Sequence, residues 1–139
     1  MTAVTLNIDG ASKGNPGHAS IGICISSNGE IIKKYSAYIG QTTNNVAEYQ
    51  ALLKGLELAA ELGATSVAVM SDSELIVRQM NGRYQVKNEV LFPLYEEAQK
   101  RARTFCNFAI CHVPRSKNKE ADRLANQGIK EGLNASSQA

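Results

Sequence analysis

Cysteine is scarce in this sequence: Cys24, Cys106 and Cys111 are the three among 139 residues, and no two form a CxxC pair. No Cys/His set has the spacing of a zinc site, so soft-ligand metal chemistry is excluded. Buried free thiols in a reducing compartment are the expectation. Long apolar runs are missing as well, and no stretch approaches a membrane span. The first residues, MTAVTLNID, carry neither the basic start nor the apolar core of a secretory signal. The cytoplasm is therefore expected, with no membrane partner. Charge of one sign is also lacking. Fifteen basic and thirteen acidic residues leave a net charge of +2, so the overall field does not mark a nucleic-acid binder and only local patches could. There is no internal repeat and no low-complexity linker. A single domain over residues 1–133 is expected, followed by a flexible small-polar tail at 134–139. No amphipathic helix is left over to pair copies, so a monomer is expected.

What is present is an ordinary globular balance, 43% hydrophobic and 20% charged, with enough chain to bury a core. Val4, Leu6 and Ile8 alternate with Thr5, Asn7 and Asp9, the pattern of a strand with one buried face. Asp9 then stands at the strand's end, before a turn, Gly10–Gly17, that reads as too rich in Gly and Pro for regular structure. Residues 20–27 and 31–39 are strand-like and flank Asn28-Gly29, a strong hairpin signal. Thr42, Thr43, Asn44 and Asn45 offer N-cap chemistry. Behind them Leu52, Leu53, Leu56, Ala59 and Ala60 recur at helical spacing, and Gly63 is a stop. Residues 65–71 read as a parallel strand covered on both faces, ended by Asp72, with a short helix to Gly82. A third helix spans 91–105, starting or breaking at Pro93, and residues 107–113 are a final strand. The last helix turns Ala121, Leu124, Ala125 and Ile129 inward. The order βββ-α-β-α-α-β-α implies an α/β fold: a mixed five-stranded sheet, an antiparallel three-stranded meander plus two parallel strands, flanked by helices.

Four acids sit where elements start or stop: Asp9, Glu48, Asp72 and Asp122. Each has a structural alternative. Asp9 could bond turn amides, Asp72 could cap a helix, and Asp122 could pair with Arg123 or Lys119 on a solvated face. Glu48 shares the inward face of its helix, where a solvated acid does not belong. Strand ends and helix starts gather along one rim of such a sheet. Four carboxylates there would repel, and at least one would hold a proton unless a cation intervened. Hard oxygen ligands select Mg²⁺ or Mn²⁺, and a carboxylate-rich Mg²⁺ site points to phosphoryl chemistry.

Four ordered motifs carry these acids: IDGASKGNPG (8–17), TTNNVAEYQAL (42–52), SDSELIV (71–77) and NKEADRLAN (118–126). With them the chain resembles type 1 ribonuclease H, in a compact form without the basic protrusion, essentially end to end. The resemblance implies the ribonuclease H-like fold and an endonuclease that hydrolyses the RNA strand of RNA/DNA hybrids, leaving 5′-phosphate and 3′-hydroxyl ends. It implies that Asp9, Glu48, Asp72 and Asp122 bind two Mg²⁺ ions, with Mn²⁺ as the alternative. One ion would activate water and the other would stabilise the leaving oxygen. Asn44 and Asn45 would contact the minor groove, Asn15 and Thr43 a DNA-strand phosphate, and Gly10 and Ser12 would bring backbone amides near the RNA strand, the missing side chain at Gly10 permitting close approach. The chain departs from the family pattern in three places. The interval 81–89 is too short for a basic, aromatic-rich helix, so weaker hybrid binding with a shallow salt dependence is expected. Glu74 stands where a neutral amide is frequent and would perturb RNA-side contacts. His112 has the spacing of a proton-transfer histidine but lies within a strand. That leaves Arg115 and Lys117 as the groups in reach, and Arg115 to steady a phosphate or the leaving group.

Overall fold

The alternating start of the chain becomes the central strand of one sheet. The computed structural model describes residues 2–138, with side chains through 135. In chain order the elements are β1 (Thr2–Gly14), β2 (Gly17–Ser27), β3 (Glu30–Thr42), α1 (Asn44–Glu61), β4 (Ala64–Ser71), α2 (Glu74–Met80), α3 (Leu91–Ala102), β5 (Asn107–His112) and α4 (Lys119–Gln138). A single 3-10 turn occupies Arg115–Lys117. The sheet order is β3-β2-β1-β4-β5. β1, β2 and β3 pair antiparallel, while β1 with β4 and β4 with β5 pair parallel. The α/β architecture expected from the sequence, a meander plus two parallel strands, is the one observed.

Two layers of helix hold the sheet. Val4, Leu6, Ile8, Ile21, Ile23 and Ile25 are buried together with Leu52, Leu53 and Leu56 of α1 in the main core. On the opposite face α4 lies across β2, β3 and β1, burying Ala121, Leu124, Ala125 and Ile129. Glycines permit that approach. A Cβ at Gly22 of β2 would fall 2.2 Å from the Ala121 carbonyl oxygen and 2.4 Å from the Ala125 nitrogen. The hydroxyl of Ser36 donates to the Leu124 carbonyl at 2.5 Å, and that of Ser20 donates to Ala125.

The structure departs from the sequence reading at several points. The stretch Gly10–Gly14 is strand, not turn; it pairs residue by residue with Gly17–Ile21, and only Asn15 and Pro16 make the reversal. β4 is not covered on both faces. Val67 and Val69 are buried, whereas Ser66, Ala68 and Met70 on the other face are half-exposed, because α4 lies over the meander. The same open edge exposes Cys106 and Cys111, so only Cys24 is a buried thiol. α3 starts at Leu91 and is not broken. Pro93 falls in its first turn, where a missing amide costs nothing. α4 continues as helix through Gln138, into the stretch expected to be a tail; residue 139 lies outside the described residues. Among the described residues no helix is long and apolar enough to cross a membrane.

Substituting Gly22→Ala is expected to destabilise the fold by roughly 1–3 kcal/mol through forced displacement of α4. Urea denaturation would measure this, and an unchanged midpoint would mean that α4 does not depend on that contact.

Candidate active site

β1 is longer than its parallel neighbour. The β1–β4 register ends at Ile8 opposite Ser71, while β1 runs on to Gly14. Asp9 and Asp72 are each the next residue along, so two carboxylates leave adjacent strands at the same level. Beyond that level β1 has no β4 beside it, and the notch is reached from both faces of the sheet. α1 enters from one face. A Cβ at Gly10 would lie 2.3 Å from the Ala47 carbonyl carbon and the Glu48 nitrogen, so the missing side chain lets the helix itself touch the strand. Glu48 then accepts a hydrogen bond from the Gly10 amide. α4 enters from the other face and carries Asp122 in its first turn.

Three of the acids, Asp9, Glu48 and Asp72, offer ligand oxygens that all lie within 4.8 Å of one another. Asp122 lies outside that group but lines the same cavity, and its charge is among those that raise Asp9. The four line one cavity of about 360 Å³ with Gly10, Ala11, Ser12, Asn44, Ser73, Arg115 and Asn126. Asp9 and Glu48 are buried, at 6% and 4% exposure.

Burial and mutual repulsion act together here. Burial, then the charges of Glu48 and Asp72, hold the Asp9 carboxyl far above the usual carboxylate range. Glu48 is raised mainly by burial, against the opposing bond from the Gly10 amide. Asp72 is raised by burial, with Arg115 beside it working in the other direction. Arg115 also pairs with Asp122 at 3.3 Å while remaining 75% exposed. Without a metal, then, the site keeps protons and one loosely held guanidinium. The donor set is all carboxylate oxygen, crowded and short of positive charge, and it fits a hard divalent cation.

A family profile described as reverse transcriptase-like matches residues 7–128. The chain is 44% identical over 128 residues to a bifunctional protein of Mycobacterium tuberculosis, covering 91% of this chain and 35% of that protein. The crystal structure of RNase H1 from Halobacterium salinarum superposes with a TM-score of 0.91 at 37% identity, covering 93% of this chain and 98% of that one. LC11-RNase H1, solved in complex with an RNA/DNA hybrid, superposes at 0.89 with 41% identity, covering 94% and 99%. The chain belongs to the type 1 ribonuclease H family. It spans about a third of the length of the mycobacterial relative, and 61% of the curated halobacterial ribonuclease HI.

In this ribonuclease H chain the other residues singled out by sequence are distributed unevenly. Thr43 caps α1, its hydroxyl accepting from Val46 at 3.3 Å. The Asn15 side chain accepts from the Asn44 amide at 3.0 Å, tying the β1–β2 reversal to the start of α1. Asn44 and Ser12 face the acid cavity; Asn45 is not among its lining residues. The Gly10 amide donates to Glu48, and both residues line the cavity. Glu74 is exposed on α2 and paired with Arg78 at 2.7 Å. His112 closes β5, as its strand pattern implies, and lines a separate cleft with Glu74. The segment from Asn81 to Val90 contains no helix, so the basic protrusion is absent as expected.

Sequence reasoning missed three polar residues. Ser73 caps α2, its hydroxyl accepting from the Ile76 amide at 3.4 Å, and lines the cavity beside Glu48; the SDS pattern before a helix was its signal. Asn126 reaches the cavity from α4, its amide donating to the Asp122 carbonyl at 3.0 Å. Asn118, 1% exposed, donates to the Ile8 carbonyl at 2.8 Å and accepts from Asn7 at 3.0 Å. It pins the start of α4 beside Asp9, and a buried amide is invisible to periodicity.

The raised carboxyls fix the sign of a pH effect. In the unfolded chain Asp9, Asp72 and Glu48 ionise near 3.8 and 4.5; in the metal-free fold they release protons later. The folded state therefore binds more protons between about pH 4 and those raised values, and stability falls as pH rises. Glu120, lowered to about 2 by Arg123 and Lys34, contributes with the opposite sign only below pH 5. The metal-free melting temperature is expected to drop from pH 5 to pH 8. Asp9→Asn should reduce that drop and stabilise the chain at pH 8, and saturating Mg²⁺ should offset it. A melting temperature that rises over this range in EDTA would contradict the account.

Proposed function

We propose that the chain hydrolyses the RNA strand of RNA/DNA hybrids as a metal-dependent endonuclease, leaving 5′-phosphate and 3′-hydroxyl ends. The observation that carries this reading is the cavity in which Asp9, Glu48, Asp72 and Asp122 meet, on a fold shared with ribonuclease H1. These four carboxylates would hold two divalent ions, Mg²⁺ or Mn²⁺. Bound ions supply charge neutralisation at the scissile phosphate and a water acidic enough to act as nucleophile at neutral pH.

The chain's own groups do the rest. Asn44, at the cavity wall, can donate to and accept from base edges and 2′-hydroxyls, and the 2′-hydroxyl is what separates RNA from DNA. Asn45 acts beside it along the minor groove. Asn15 uses its oxygen on Asn44 and keeps its Nδ2 donor for a DNA-strand phosphate. Thr43 keeps its hydroxyl proton for the same anion while its oxygen caps α1. Ser12 faces the RNA strand. Arg115 leaves Asp122 and steadies the phosphate or the leaving oxygen with its planar fork.

A labelled RNA/DNA hybrid incubated with the chain and Mg²⁺ or Mn²⁺ should be cut in its RNA strand, with duplex DNA untouched. Asp9→Asn should fold and lose at least about 10³-fold in rate, and Arg115→Ala about 10²-fold, the scale of removing a charge-stabilising donor. His112→Ala should cost less than about 10-fold, below the range of a lost general acid or base. Cleavage without metal, or of duplex DNA alone, would overturn the reading.

A further inference from the structure

A cleft between α2 and the end of β5 lies outside the acid cavity, and nothing in the mechanism above uses it. Glu74, Val77, Arg78, Asn81, Arg83 and His112 enclose about 170 Å³ there. His112 stands opposite Ser71 in the β4–β5 register, so the cleft opens one strand spacing, ~4.8 Å, from where β4 delivers Asp72.

The backbone builds this cleft. α2 ends at Met80, and Gly82 takes φ +76°, a conformation open to glycine. The chain doubles back, so that the amides of Arg83 and Tyr84 both donate to the Arg78 carbonyl, at 2.8 and 3.2 Å. The Tyr84 ring then lies against the Arg78 guanidinium, 5.3 Å from its centroid. The Asn81 side chain donates to the Ile110 carbonyl at 3.1 Å, fastening the turn to β5. Two guanidinium groups and an imidazole, which keeps an N–H donor in either protonation state, therefore surround one small space. Among the residues that line the cleft the one acid is Glu74, which pairs with Arg78 at 2.7 Å, and Asp72 also faces His112 from the neighbouring strand end.

We propose that this cleft is an anion subsite for a backbone phosphate of the hybrid, next to the scissile position. Arg83 and His112 donate to the phosphate, and Glu74 competes with it for Arg78. The proposal rests on the ribonuclease H reading. Guanidinium forks match the phosphate oxygens in a way that a diffuse lysine patch does not. The cleft supplies grip on the side of the molecule where the segment from Asn81 to Val90 forms no basic helix. Glu74 acts as an internal counter-ion that weakens the subsite until a phosphate displaces it.

Hybrid affinity of the Asp9→Asn chain, measured by fluorescence anisotropy with Mg²⁺ across 50–200 mM salt, tests this. Adding Arg83→Ala should weaken binding and reduce the slope of log K against log salt by roughly 0.9, one phosphate's worth. Arg83→Lys should retain the slope, and Glu74→Gln should tighten binding. Lys33→Ala, on β3 at the opposite edge of the sheet, should leave the slope unchanged. Equal effects of Arg83→Ala and Lys33→Ala would overturn the subsite in favour of a diffuse field. If the Asp9→Asn chain bound no hybrid at all, the ribonuclease reading and the cleft's ligand would fall together.

Discussion

Repulsion among four carboxylates is the constraint around which the molecule is built. Asp9 and Glu48 are buried beside Asp72 and within reach of Asp122, and left to themselves they would move apart or stay protonated. The fold prevents the first. Asp9 and Asp72 leave strands locked in parallel register at Ile8 and Ser71, and neither strand can slip without turning its buried residues to the wrong face. Glu48 is held by the Gly10 amide. Asp122 is held by a helix start that Asn118 anchors to the Ile8 carbonyl. The price is a metal-free state that keeps protons against its own repulsion, which a divalent cation would relieve.

The difference in strand length converts this constraint into a site. Were β4 as long as β1, it would fill the space beside Gly10–Gly14. Because β4 stops at Ser71, helices on opposite faces can both reach the same few ångströms. The same open rim runs from the acids past Asp72 to His112 and the turn after α2. The four acids and the cleft at Arg83 therefore lie along the same open rim of the sheet. Among the described residues Arg115 is the one cation that pairs with any of the four acids, through Asp122. Its exposure fits a group that exchanges partners when metal and phosphate arrive.

Much of this was legible in the sequence, for identifiable reasons. Alternation in residues 4–9 and the inward stripe Ala121, Leu124, Ala125 and Ile129 report burial directly, because each is a period matched to its element. Glu48 stood out because an acid on an apolar helix face is costly unless used. Gly10–Gly14 was misread because glycine ordinarily signals a break in a strand; here Gly10 makes room for α1 and the pairing continues. β4 read as covered on both faces because its run is almost wholly apolar, yet small residues such as Ala68 tolerate half-exposure. Asn118 and the cleft around Arg83 could not be read at all. Both depend on residues far apart in sequence meeting in the fold, Asn118 on β1 and His112 beside the turn after α2, which no local pattern records.

The central claim is that the four acids form a divalent-cation site whose metal-free form is held partly protonated. Calorimetric titration of the metal-free chain with Mg²⁺ or Mn²⁺, in two buffers of different ionisation heat near pH 6.5, tests it most directly. The account predicts metal uptake accompanied by proton release, with both diminished in Asp9→Asn. Absence of uptake, or uptake that releases no protons and is indifferent to Asp9→Asn, would contradict it.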